Sequence, residues 1–269
     1  MRPIKLLIAV LATLLLAAPV VAEEFPLRAK YPEVRPISID DLAAQYAETI
    51  IIDVRSEMEF DTIHVSGARH VPVTRNDFLS ELEKLRGKQS GAPIAFYCNG
   101  HSCAKSYKAA AKAMAAGFTD IFCFDAGIFE WVDAYPERGT LLGQSPADKS
   151  KLIPKSKLDE HKIDFAAFKA KAGEPNSIIL DTRDPFQRLK DSDLDQSKTV
   201  ILDNIRSIPM DRMVKLVGQK EFADKQLLIF DAVGKQVRWL QYYLEDAGYR
   251  DYYFLEKGVL TAAVAGAVR

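Results

Sequence analysis

The sequence predicts an α/β protein of two domains, each a mainly parallel sheet with helices on both faces, and three observations carry that expectation. Short β-branched apolar runs alternate with helical stretches, the pattern of parallel strands joined by crossover helices. The second half echoes the first at a nearly constant offset. With 269 residues, 48% of them hydrophobic, the chain has enough length and apolar content for two ordinary cores.

Along the chain, Met1 to Lys5 carries two positive charges, Leu6 to Ala17 is an uninterrupted apolar and small-residue run, and Val20-Val21-Ala22 fits a small-x-small cleavage site. This is the layout of a secretory signal peptide, too short in its apolar part to span a bilayer. Cleavage after Ala22 leaves 247 residues of formal charge -3, an exported chain of the periplasm or extracellular space. The first buried-type strand is Ile50-Ile51-Ile52-Asp53-Val54-Arg55, echoed 128 positions later by Ile178-Ile179-Leu180-Asp181-Thr182-Arg183. The next, Ile94-Ala95-Phe96-Tyr97-Cys98, is echoed 133 positions later by Leu227-Leu228-Ile229-Phe230-Asp231. Each leads into a helix that stops at a glycine, Gly117 or Gly248, and then a short aromatic strand and a further glycine, Gly127 or Gly258, both pairs 131 apart. The expected division is a leader over 1–22, a first domain over 37–138, a linker over 139–157 rich in Gly, Ser, Pro and Lys, and a second domain over 158–269.

Composition excludes several function classes. Lys plus Arg number 36 against 37 Asp plus Glu, a formal charge of -1, so no basic excess draws the chain to nucleic acid. Three cysteines are too few and too oddly numbered for a disulfide framework. His101 and Cys103 alone do not make a metal site.

Ligand sites of such sheets lie at the carboxyl ends of the strands, so Asp53-x-Arg55 and the loop after Tyr97 are expected at one edge. Cys98 directly follows an apolar strand and precedes Asn99-Gly100-His101-Ser102 and a helical run beginning at Cys103. A sulfur over a helix amino terminus is favoured as thiolate by backbone N–H groups and the helix dipole. Inward-facing His101 or Lys105 adds to this, and the polar flanks suggest an exposed loop. That combination suits a nucleophile or a sulfur carrier.

Residues distributed over the first half resemble the rhodanese domain of the sulfurtransferase family. They are Asp53-Val54-Arg55, Glu59-Phe60, His64-Val65-Ser66-Gly67-Ala68 through Val71-Pro72, Cys98 at the place of the catalytic cysteine, and Ala126-Gly127-Ile128-Phe129-Glu130-Trp131 through Tyr135-Pro136. The likeness covers Ile37 to Arg138 and, more faintly, Leu158 to Val264, making both domains rhodanese-like and the second degenerate. It implies catalysis by Cys98, whose thiolate takes sulfur from a small donor such as thiosulfate or a persulfide. A persulfide cradled by the amides of Asn99, Gly100, His101, Ser102, Cys103 and Ala104, beside Lys105, then passes sulfur to a thiol or cyanide, with no cofactor. Asp53 and Arg55 are expected to be structural.

The family's loop commonly runs Cys-x-x-Gly-x-Arg. Here Gly100 comes one position early, Cys103 stands at the arginine's place, and Lys105 lacks the planar fork that grips an oxyanion. Related cysteine phosphatases place an arginine six positions after the cysteine, where this chain has Ala104. In the second half Asp231 replaces the cysteine on a loop about two residues shorter, expected to lack the amide cradle. Two rival readings stand beside sulfur transfer. One is a thiol redox protein in which Cys103 resolves Cys98; the other is a non-catalytic binding module. The aromatic group from Trp239 to Phe254 reads as packing first and as a face for a protein partner second.

Overall fold

The computed structural model describes residues 25–88, 91–189 and 204–259. The expected leader and its cleavage site lie outside the described residues.

The first domain contains β1 (Arg35–Pro36), α1 (Ile39–Ala44), β2 (Ile50–Asp53), α2 (Glu57–Thr62), β3 (Ile63–Val65), β4 (Arg69–His70) and α3 (Phe78–Lys88). It continues with β5 (Ile94–Tyr97), α4 (Lys105–Ala115), β6 (Ile121–Phe124), α5 (Gly127–Ala134) and β7 (Gly139–Leu141). Three of the four residues of β2 and of β5 are β-branched or aromatic, which suits strands covered on both faces, and all of Ile50 to Asp53 and Ile94 to Tyr97 is buried. Five parallel strands form the sheet in the order β1-β6-β5-β2-β4. Phe78, Leu82, Tyr107 and Ala110 pack on one face, and Leu42, Ile128, Trp131 and Val132 on the other.

The second domain follows with α6 (Lys155–Glu160), β8 (Lys162–Ile163), α7 (Phe165–Ala172), β9 (Ser177–Asp181), α8 (Pro185–Leu189) and β10 (Ile205–Ser207). Then come α9 (Met210–Gly218), β11 (Gln226–Phe230), α10 (Val237–Asp246) and β12 (Tyr252–Leu255). Its five parallel strands run β10-β9-β11-β12-β8, the first sheet's order read from the other edge. The two-domain α/β architecture legible in the sequence is the one the chain adopts. Asp53 pairs in register with Tyr97, and Asp181 with Phe230, which sets each Asp-x-Arg beside the loop that follows the central strand.

The segment expected as a linker is only partly one. Gly139–Leu141 pairs antiparallel with Ile63–Val65, and Ala147 and Ile153 are buried in the first domain's core. Two scattered apolar side chains need no periodicity to fill a surface groove, so a periodicity search passes over them. The aromatic residues of the second half divide between two roles. Tyr249, Tyr252 and Phe254 fill the second core, whereas Trp239 and Tyr242 on α10 join the first domain's core. Trp239 stacks on Phe129 at 5.9 Å, and the Tyr242 hydroxyl accepts the Ile153 N–H at 3.2 Å. This face of α10 is covered by the first domain.

Candidate active site

The site grows from the edge of β2. Asp53 and Arg55 are both fully buried and paired, Nη2 to Oδ2 at 2.6 Å and Nε to Oδ1 at 2.9 Å. A buried pair survives only if its remaining donors and acceptors are met. Arg55 also donates to the Ile63 carbonyl and, through Nη1, to Asn99 Oδ1 at 3.0 Å. Asn99 in turn donates to Glu59 Oε1 at 2.6 Å.

Glu59 is fixed by its helix. The Ser56 N–H donates to its carboxylate at 3.0 Å at the start of α2, and Lys105 Nζ lies 3.1 Å away. Burial opposes its ionisation, but the hydrogen bonds from Asn99 and Ser56 with the charges of Lys105 and Arg55 outweigh it and push its pKa down to about 2. A continuous polar path thus runs from Asp53 through Arg55, Asn99 and Glu59 to Lys105, spanning the reactive loop.

The cysteines differ from the expectation. Cys98 is 1% exposed, with its sulfur 3.0 Å from the Cys103 carbonyl and 3.2 Å from Ser106 Oγ. Burial, reinforced by its hydrogen bond to the Cys103 thiol, pushes the Cys98 pKa up rather than down. Cys103 is half-buried. The bond from Cys98, the backbone of Asn99 and Lys105, and the Lys105 charge together outweigh burial and bring its thiol down to about 6. The readier thiolate of the free protein is therefore Cys103.

The loop amides are likewise shared out differently. Cys103 spends its own N–H on the Gly100 carbonyl at 2.8 Å, and the Asn99 and Lys105 backbone serves the Cys103 sulfur. Ser102 is exposed, and Ala104 precedes the first turn of α4. His101 packs against Phe25 with ring centroids 4.2 Å apart and meets Glu130 at 2.6 Å; its imidazole is engaged there. Cys123 lies in the core, and burial raises its thiol to about 12. Sequence reasoning missed Ser106 and the bridging of Asn99 to Glu59, although Ser56-x-x-Glu59 is a capping signature that would have anchored the carboxylate in space.

In both domains the closing glycine clamps the loop. The Ile128 N–H donates to the Cys98 carbonyl at 3.1 Å, and the Val259 N–H to the Asp231 carbonyl at 3.0 Å. Gly127 (φ +80°) and Gly258 (φ +69°) approach so closely that a Cβ would meet the Asn99 carbonyl carbon at 2.7 Å or that of Ala232 at 2.6 Å.

The second loop corrects a further expectation, because it does contain an amide cradle. The Asp231 carboxylate accepts N–H groups from Val233 at 3.0 Å, Gln236 at 2.6 Å, Val237 at 3.3 Å and also Gly234. Shortening the loop keeps these donors convergent, and the carboxylate fills them. Beside it Arg183 pairs with Asp181 at 2.9 Å. The two loops face each other across a cleft of about 550 Å³, lined by Asn99 and Lys105 on one wall and by Gly234, Lys235 and Gln236 on the other.

The profile of the rhodanese-like domain matches residues 38–134. Thiosulfate sulfurtransferase GlpE from Pseudomonas putida is 33% identical over 88 residues, covering 32% of this chain and 73% of the relative. Its counterpart from Pseudomonas aeruginosa is 31% identical over 87 residues, covering 32% and 72%. Among solved structures, a thiosulfate sulfurtransferase from Pseudomonas aeruginosa aligns over 87% of this chain and 43% of its own at 20% identity and a TM-score of 0.36. The BH2092 protein from Bacillus halodurans aligns over 49% and 94% at 24% identity, with the same TM-score.

Proposed function

The chain belongs to the rhodanese-like family, and from that premise we propose that it is an exported sulfurtransferase or persulfide carrier working through Cys98. The observation that carries this reading is the placement of Cys98 at the carboxyl end of β5, with its sulfur held 3.0 Å from the Cys103 carbonyl and 3.2 Å from Ser106 Oγ. Cys98 attacks the outer sulfur of the donor as its thiolate, its proton passing to solvent as the anionic donor enters the loop. With thiosulfate, the new S–S bond forms as the donor's S–S bond breaks, and sulfite leaves with its electron pair. The persulfide then yields its outer sulfur to a thiol or cyanide, and the Cys98 thiolate is regained.

A second reading draws on the same contact. The Cys103 thiolate attacks Cys98 Sγ of the persulfide, closing a Cys98–Cys103 disulfide and expelling hydrosulfide, and an external dithiol reopens the bridge. Intact-protein mass spectrometry before and after exposure to thiosulfate and to organic persulfides separates the two. Gain of one sulfur, abolished by Cys98→Ser and discharged by cyanide, supports transfer. Loss of two protons that requires Cys103 supports the disulfide cycle, and no change with any donor supports a binding module.

A further inference from the structure

We propose that Phe25 to Val34 form a strap that holds the reactive loop over Cys98, and that Arg28 is its positioning residue, acting through the buried carboxylate of Asp125. This deepens the sulfur-transfer reading and rests on it for the reaction that the loop performs.

Asp125 follows β6 at the same sheet edge as Cys98 and is 3% exposed. Arg28 donates to its carboxylate from Nε at 2.8 Å and from Nη2 at 3.1 Å, and the Tyr107 hydroxyl donates to the same group. The Arg28 side chain is itself 42% exposed, so the strap carries a guanidinium from the surface down onto a buried charge, and the two-pronged contact fixes both position and orientation. Through its neighbours Asp125 reaches the loop. Ala126 and Gly127 follow it in the chain and press on Asn99 and Gly100, where a Cβ on Gly100 would come within 2.9 Å of the Ala126 carbonyl oxygen. Tyr107 stands one residue after Ser106, whose Oγ lies 3.2 Å from the Cys98 sulfur. One carboxylate thus ties the strap to both ends of the loop.

The strap also meets the loop directly. Phe25 packs on His101 with ring centroids 4.2 Å apart, and the Arg28 guanidinium lies 3.9 Å from the centre of the same Phe25 ring. The group that reaches Asp125 therefore also supports the ring that covers the loop. From α5, Glu130 meets His101 at 2.6 Å, so the imidazole is held between helix and strap. Further along, Tyr31 stacks on Tyr107 at 5.2 Å, and Leu27, Tyr31 and Val34 pack into the core that contains Cys98.

Such a grip bears on the chemistry because attack on a donor's outer sulfur is sensitive to placement on the ångström scale. The strap precedes residues 38–134, the span that the family profile matches, so this support of the site belongs to the chain's own amino-terminal segment.

Peptide-resolved amide exchange and single-turnover loading of Cys98 by thiosulfate, both on the full chain, test the strap. In Arg28→Gln, exchange over Asn99 to Lys105 should quicken about tenfold or more, the scale of one lost charge-assisted contact. Loading should slow by a similar factor, while exchange over Val233 to Val237 stays within about twofold. Asp125→Asn should act in the same direction. The double variant, which leaves no buried charge unpaired and so guards against a folding defect, should be no worse than either single variant, because both act through one contact. Arg28→Lys should recover part of both losses. Lys30→Gln, exposed and without an ion pair among the described residues, should stay within about twofold of wild type. Wild-type loading and unchanged loop exchange in Arg28→Gln overturn the proposal, as do additive losses in the double variant. Exchange that quickens equally in both loops overturns it too, since Arg28 would then contribute only to general stability. If loop exchange quickens in Arg28→Gln while thiosulfate and organic persulfides load neither the variant nor the wild type, the sulfur-transfer reading fails and the strap stands.

Discussion

Arg55 donates from Nη1 to Asn99 Oδ1 at 3.0 Å, so the buried ion pair at the end of β2 holds the loop that carries Cys98 and Cys103. The pair is thus a positioning device, and its loss is felt in stability and in loop geometry together.

Asp53→Asn leaves Arg55 buried with its charge uncompensated, and the expected cost is about 3–5 kcal/mol. Urea unfolding measures it. A change below 1 kcal/mol would show that water or another carboxylate reaches Arg55.

Cys103→Ser separates the thiols. Thiol alkylation of the wild type should rise through pH about 6 as Cys103 ionises, and this limb should vanish in the variant. Sulfur loading at Cys98 should survive the substitution, because the transfer step uses only the Cys98 sulfur. A persulfide that accumulates on Cys98 only in the variant, where the wild type instead loses two protons, would favour the disulfide cycle.

Glu59 has a folded pKa of about 2 against an ordinary value of 4.5. A depressed carboxylate stabilises fully above its unfolded value and loses that contribution as pH falls through the folded one. About 2–3 kcal/mol should therefore disappear between pH 4.5 and pH 2. Glu59→Gln should flatten this part of the stability profile, read by denaturant midpoints at stepped pH.

Asp231→Cys places a thiol among amides that already converge on that position. Its pKa should fall below the ordinary value of about 8.5, giving alkylation at residue 231 near neutral pH, located by peptide mass spectrometry. An unreactive thiol there would show that the cradle collapses without the carboxylate.

Much of this was legible in the sequence because it depends on local pattern. The β-branched runs at Ile50 and Ile178 and their aligned successors disclose two α/β domains with parallel sheets through the repeat alone. The thiol chemistry was not legible, since it depends on which sulfur faces the loop interior. Five positions separate Cys98 from Cys103, and nothing in the spacing says that the second collects the amides while the first sinks beneath α4. The stacking of Arg238 on Phe129 is hidden for a different reason: the ring lies in the other domain, and no local pattern reports a contact across so long a stretch of chain. Asp231 misled because a shorter loop suggests fewer donors, whereas convergence depends on their direction.

The carboxylate of Asp231 sits where a sulfur anion would sit, already holding the amides that a loaded loop would hold. The second domain is in that sense permanently charged, a fixed image of what the first becomes when it accepts sulfur. One molecule then contains both the variable and its reference. Amide exchange at Val233 to Val237 should be indifferent to sulfur supply, while exchange at Asn99 to Lys105 should slow on loading, so the ratio of the two reads the occupancy of the first domain from within the same chain.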